Sequence, residues 1–332
     1  MSHFLSSDVG AMTKIISAGY VQSALQTLLF SDESLSKTQE RVTSGLKIAS
    51  AADNSGYWST ATNLKSDGSV LSSIGDALDL GASKADTAYE AVNSLIDVVD
   101  QIMTQLTTAY ETGADRGNIN QAITALKNNL QSVSQAASFS GDNWIYNTSP
   151  QLAETKSVPY AFQKDVSGSI TLQYLSVDTA QMTLVDTDDA SRGLLTADVD
   201  ASARNPDVSS SARDYFLLNA GSSTGAAGTE IAVSDTTTSE ELDDMVYVVG
   251  QLSKKLNALG ASLGNMSNRI DQQSVFVDSL KDSMDKSVSR LVDANMEEES
   301  SRLAAAKSQR DLAVQVVSMA NSHRKSLANL FA

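Results

Sequence analysis

The sequence predicts a mainly α protein: a long antiparallel coiled-coil or helical-bundle core drawn from both chain ends, carrying a small β-rich inserted outer domain. Three observations predict it. Apolar residues recur at steps of three and four through both ends of the 332-residue chain. The three prolines, Pro150, Pro159 and Pro206, all fall between those ends, outside the stretches that would be helical. Aromatic residues are only 5% of the chain, so its interior is built from Leu, Val, Ile, Met and Ala, as in bundles.

Residues 1–42 are the first expected helix, with Val21, Leu28, Leu35 and Val42 seven apart and Leu25 between the first two. Residues 43–60, "TSGLKIASAADNSGYWST", break the rhythm with two glycines and a polar cluster, and read as a linker. Over 61–145 the rhythm resumes from Ile74 to Leu106, and again from Ile119 through Ile123, Leu126, Leu130 and Val133 to Ala137. The short polar loop "ETGADRGN" between those runs makes them antiparallel neighbours. Residues 146–238 read as short strands, with Ile170, Leu172 and Tyr174 alternating. Residues 239–291 carry the longest seam, Leu242 to Leu291 with Ser287 on it; fifty helical residues span roughly 75 Å. Residues 292–332 form a terminal amphipathic helix with Leu303, Leu312, Val316, Met319, Leu327 and Leu330 on one face. Its acidic start and its basic His323, Arg324 and Lys325 suit the helix dipole.

The net charge is −16, which disfavours nucleic acid and anionic membrane surfaces as partners. Cysteine is absent, so no disulfide, thiolate nucleophile or Cys-ligated metal is expected. The chain start holds His3, Asp8 and Lys14, unlike a Sec-type signal peptide. No run of eighteen apolar residues suggests a membrane span.

Catalytic signals are weak. "GSSTG" at 221–225 fits the nucleophile-elbow pattern around Ser223, but the flanks suit a loop, and the two histidines lie in the terminal arms. Asp186, Asp188 and Asp189 lack the rest of a calcium loop. No enzyme activity, cofactor or metal is expected. What remains is surface: both terminal stripes are too apolar to stay exposed, and head-to-tail contacts that do not close give open filaments.

"RVTSGLKIASAADNSGYWSTATNL", 41–64, resembles the N-terminal signature of bacterial flagellins. "YWS" and "ASFSGDNW" are similar to flagellins of soil alphaproteobacteria. "LGNMSNRID" and "SRLVDANMEEESSRLAAAKSQRDLAVQVVSMAN" resemble the C-terminal signature. The resemblance covers about 1–145 and 240–332. It implies a subunit that polymerises into the extracellular flagellar filament for swimming, secreted through type III export. Its implied inner-core positions are Val21, Leu25, Leu28, Leu35, Val42, Leu303, Leu312, Val316, Met319, Leu327 and Leu330. Implied spoke and core contacts are Arg41, Gly45, Asp53, Asn54, Gly56, Arg269, Asp271 and Asp293. Implied partners are other copies, alone or with related flagellins, an export chaperone, and hook-associated and cap proteins. The alternative of another kind in the same organelle is a hook–filament junction protein; a serine hydrolase using Ser223 ranks last.

Overall fold

The computed structural model describes the backbone of residues 2–165, 167–204 and 213–330, and their side chains except those of 2–18, 20, 323, 324 and 327–330. Leu327 and Leu330 therefore lie outside the described side chains. The helices are α1 (Ser2–Ser44), α2 (Ser55–Thr108), α3 (Arg116–Ala136), α4 (Ser239–Val292) and α5 (Met296–Leu330). Two compact units form: one holds residues up to Gly68 and from Asp282 onward, the other Ser69–Lys281. α2 and α4 each contribute to both.

In the 69–281 unit, α2 and α4 pair antiparallel around one apolar seam. Leu71, Ile74, Leu78, Val92, Leu95, Val99, Ile102 and Leu106 of α2 are buried, as are Leu242, Val249, Leu252, Leu256, Leu263, Ile270 and Val277 of α4. A polar ladder flanks the seam. Asp79, Asp86 and Asp100 accept from Ser274 (3.5 Å), Ser267 (2.6 Å) and Ser253 (3.3 Å), and Lys281 donates to Ser72 (3.3 Å). The rungs fall at multiples of seven along α2 and the same multiples back along α4, which is the register of an antiparallel heptad pair. α4 starts with a reciprocal cap: Thr238 Oγ1 accepts from the Glu241 amide, and the Glu241 carboxylate accepts from the Thr238 amide.

Three details depart from the sequence expectation. First, Ser287 is exposed; Val288 and Val292 are buried instead, packed with Ile48 and Ala61. Steps of four from Met284 follow the 3.6-residue period of a straight helix, where a strict heptad drifts off its face. Second, α3 buries Lys127 and Ser134, while Leu126 and Val133 are half-buried. Lys127 is held by Glu230 at 2.7 Å and by the Ile231 carbonyl; burial, the larger effect, pulls its pKa down against the Glu230 contact.

Third, residues 138–147 are not helical. Asn143 Nδ2 donates to the Ser134 carbonyl at 2.8 Å, tying off the end of α3. The hairpin β1 (Ser138–Phe139) and β2 (Asp142–Asn143) then turns through Ser140 and Gly141, both at positive φ, as a two-residue hairpin turn demands.

The rest of the insert is a set of small sheets. β3 (Tyr146–Asn147) runs parallel to β6 (Val185–Asp186), and β4 (Thr155–Lys164) pairs antiparallel with β5 (Ile170–Asp178). β8 (Asp214–Phe216) lies between β7 (Val199–Asp200) and β9 (Thr229–Glu230). On β5, where Ile170, Leu172 and Tyr174 alternate, residues 170–174 are all exposed, while Val177 is buried.

Candidate functional site

α1 packs along α5 within the terminal unit. They run antiparallel: Arg310 Nε donates to Asp32 Oδ1 at 2.7 Å, and Arg41 Nη1 lies 3.6 Å from Glu299 Oε1 near the start of α5. The buried stripe of α1 is Ala24, Ser31 and Thr38, every seventh residue; that of α5 includes Ala306 and Ala313. Ser31 and Thr38 satisfy their hydroxyls on the carbonyls of Thr27 and Ser34, both at 2.9 Å. Small residues let two helices approach closely without occupying their larger side chains.

The larger apolar side chains are left outside. Val21, Leu28, Leu35, Val42 and Leu303 are half-buried, whereas Leu25, Leu312, Val316 and Met319 are exposed. Leu29 and Phe30 join them, with Phe30 75% exposed. The heptad count on large residues missed the Ala24–Ser31–Thr38 stripe; the seven-residue spacing of small residues was its signal.

Between α1 and α2 the polar break is a structured loop. It spans residues 45–54 and is shorter than the expected 43–60, because α2 already begins at Ser55. Gly45 ends α1 at φ +72°, the left-handed conformation that favours glycine at a helix end. From there the loop lies against the end of α4. The Lys47 amide donates to the Val292 carbonyl at 2.8 Å, and the Ala294 amide to the Gly45 carbonyl at 2.8 Å. Lys47 Nζ donates to the Arg290 carbonyl at 2.7 Å, putting a cation on the negative end of α4. Ile48 enters the small core with Ala61, Val288 and Val292.

Asp53 and Asn54 close the loop. Asp53 Oδ2 accepts from the Ser50 amide and hydroxyl and the Ala49 amide, and these bonds, those of Ser50 foremost, hold its carboxyl below the usual range. Asn54 Oδ1 caps α2 by accepting from the Tyr57 amide at 3.0 Å. Asn295 does the same for α5, accepting from the Glu297 amide at 3.1 Å. Glu299, nearly buried, sits between Arg41 and Arg302, whose Nη1 lies 3.4 Å away.

Arg41, Gly45, Asp53, Asn54 and Asp293 thus gather at one junction of α1, the loop, α4 and α5. Leu46 bridges to Asp293 through the backbone. Gly56 does not need its conformational freedom: it lies inside α2 without positive φ, and an added Cβ would meet only Asn54 Oδ1, at 3.6 Å. Gly45→Ala is therefore expected to cost about 1–2 kcal/mol through left-handed strain. The loss reads as a lower thermal midpoint of the assembled protein, with Gly56→Ala close to silent. Arg269 and Asp271 are exposed on α4 in the 69–281 unit.

The chemistry-like motifs resolve into structure. Residues 222–224 pair with the 186–190 segment: Ser222 Oγ donates to the Asp186 carbonyl, and the Ser223 and Thr224 amides to the carbonyls of Thr187 and Asp188. Asp186 accepts from the Asp188 and Asp189 amides and from Asn147. Among the described residues no group of acids and histidines has metal-ligand geometry, and no helix is long and apolar enough to cross a membrane.

The model of the bacterial flagellin N-terminal helical region matches residues 16–149, and that of the C-terminal helical region matches 246–331. Over 320 residues the chain is 42% identical to flagellin C of Rhizobium meliloti strain 1021, covering 96% of this chain and 99% of that one. It is 34% identical to flagellin A of the same strain, covering 96% and 100%. A flagellin of Brucella melitensis biotype 1 is 33% identical, covering 96% and 99%.

Proposed function

This chain belongs to the bacterial flagellin family and is a structural subunit of the flagellar filament, and on that premise we propose how its parts divide the work. The terminal helices α1 and α5 form the inner layer, where the outward side chains Leu25, Leu312, Val316 and Met319 are covered by other copies. Val21, Leu28, Leu35, Val42 and Leu303 line the same layer. The 45–54 loop, with Arg41, Gly45, Asp53, Asn54 and Asp293, is the spoke that sets where the inner layer begins. Residues 61–145 and 239–291 supply the outer layer, and 146–238 face outward from it.

The observation that carries this is the division of labour on α1 and α5: small residues meet within the chain and large apolar residues face out. Export as an unfolded chain, with a chaperone, and growth beneath a cap against hook-associated proteins belong to the same proposal. No catalytic role is proposed, since Ser223 sits in a segment tied to 186–190. No observation favours the junction-protein alternative. Purified chain mixed with short filament seeds or precipitating salt tests the reading: long fibres under negative-stain microscopy are expected, and failure to elongate under every seeded condition overturns it.

A further inference from the structure

We infer that the cavity lined by the β1–β2 hairpin, the 147–154 loop and the start of β4 is a binding site for a neutral saccharide. Its volume is about 480 Å³, within the roughly 300–1,000 Å³ of small-molecule sites. Trp144, Tyr146, Thr148, Gln151, Glu154 and Lys156 line it, among others. All belong to the 69–281 unit and none to α1 or α5, so the site needs no second copy of the chain.

The walls are fixed by bonds made within the chain. Asn143 uses both ends of its amide: Nδ2 donates to the Ser134 carbonyl at 2.8 Å, and Oδ1 accepts from the Ile145 and Tyr146 amides at 2.9 Å. Asn147 Nδ2 donates to the Ser149 and Gln151 carbonyls and to Asp186 Oδ2, which sets the course of the loop. Asp142 is matched by two cations, Lys84 at 3.0 Å and Lys156 at 3.4 Å. The Tyr146 hydroxyl accepts from Gln135 Nε2 at 2.9 Å and keeps its own proton to donate. The cavity is therefore shaped before anything binds.

The bonds these walls leave unmade select the occupant. Trp144 is only 3% exposed, and its buried indole N–H has no acceptor among the described residues. A buried donor left so costs about 1–3 kcal/mol, which an oxygen brought against the indole recovers. The side chains of Thr148, Gln151 and Glu154 also make no hydrogen bond among the described residues, and together they offer donors and acceptors. An apolar ligand would leave all of these groups unpaired. Asp142 and Lys156 answer each other's charge, so Glu154 remains as an acceptor of hydroxyl protons and no strong charge is asked of the ligand. A saccharide meets every one of these demands. Each of its hydroxyls both donates and accepts, and its C–H faces suit the Trp144 and Tyr146 rings.

Trp58 and Trp144 are the two tryptophans of the chain, so full-length Trp58→Phe keeps a single indole, the one at the cavity. The isotope-labelled free subunit then gives one indole N–H signal in nuclear magnetic resonance, to be titrated with maltose, cellobiose and chitobiose, with glycerol as the control. At least one disaccharide should move that signal saturably, with a Kd of about 1 mM or tighter, while glycerol leaves it in place. Gln151→Ala and Glu154→Ala, both at exposed positions, should each weaken binding at least about threefold without moving the thermal midpoint. No response to any of the three disaccharides at about a hundred times that concentration overturns the inference. So does an equal response to glycerol, or a response that both alanine variants leave intact. Each of these failures leaves the filament reading untouched, because elongation is not what is measured.

Discussion

Exchanging Phe30, Leu312 and Met319 together for serine is expected to stop filament growth while leaving the subunit folded. All three are at least 60% exposed and none belongs to the small-residue stripe that joins α1 to α5. Fully burying a Leu, Phe or Met stabilises by about 1.5–3 kcal/mol, so losing three at a subunit contact weakens it by roughly 5 kcal/mol or more. At tenfold per 1.4 kcal/mol, the critical concentration rises by about three orders of magnitude. Sedimentation after seeded elongation reads this directly, and circular dichroism of the free variant should show its helix content retained.

A second large effect is expected at the opposite kind of site, a buried charge. Asp244, near the start of α4, accepts from Arg213 Nε at 2.7 Å and Arg204 Nε at 2.9 Å, with a further contact from Arg213 Nη2. Arg204 also reaches Asp243 at 3.1 Å, and Tyr110 donates to Asp243 at 2.6 Å. These contacts fasten the chain on both sides of 205–212 to the start of α4. Asp244→Ala takes away the carboxylate that Arg213 and Arg204 share, and hydrogen bonds to charged groups contribute about 1.5–3 kcal/mol. Against the roughly 5–15 kcal/mol that holds a domain folded, a clear drop in thermal midpoint is expected.

The pH dependence follows from the same cluster. Burial pushes the Asp244 carboxyl up, but Arg213 and Arg204 together outweigh it and hold it below the usual carboxylate range. A carboxyl lowered by folding adds stability above its unfolded pKa, near 3.9, and loses that stability as pH falls through the folded value. The wild-type midpoint should therefore fall below about pH 4 more steeply than that of Asp244→Asn, which has no proton to take up there.

The long α2–α4 seam was legible in the sequence because large apolar residues repeat at steps of three and four over most of both helices. The polar ladder beside it was not, since a serine opposite an aspartate has meaning only once the register is known. The small-residue stripe that joins α1 to α5 went unread. Periodicity searches weigh Leu and Val, yet the close approach depends on Ala24, Ser31, Thr38, Ala306 and Ala313. The loop's position followed from its glycines and polar cluster, but its length hung on a single capping oxygen, that of Asn54. On β5 the alternation of Ile170, Leu172 and Tyr174 was visible; which face they would take was not, because strand period is the same for either. Arg269 was singled out through the resemblance to flagellins, and only the structure shows it exposed on α4.

The central claim is that the large apolar side chains of α1 and α5 are bare in one subunit and covered by its neighbours. Leu312→Cys gives a single thiol on that face, and Ser223→Cys gives a reference in the insert. Maleimide labelling of free subunits and of assembled filaments should show the thiol at position 312 slowed by at least about tenfold on assembly, with the reference unchanged. Equal labelling of position 312 in subunit and filament would mean that neighbours do not cover this face, and the account of how the chain polymerises would be wrong.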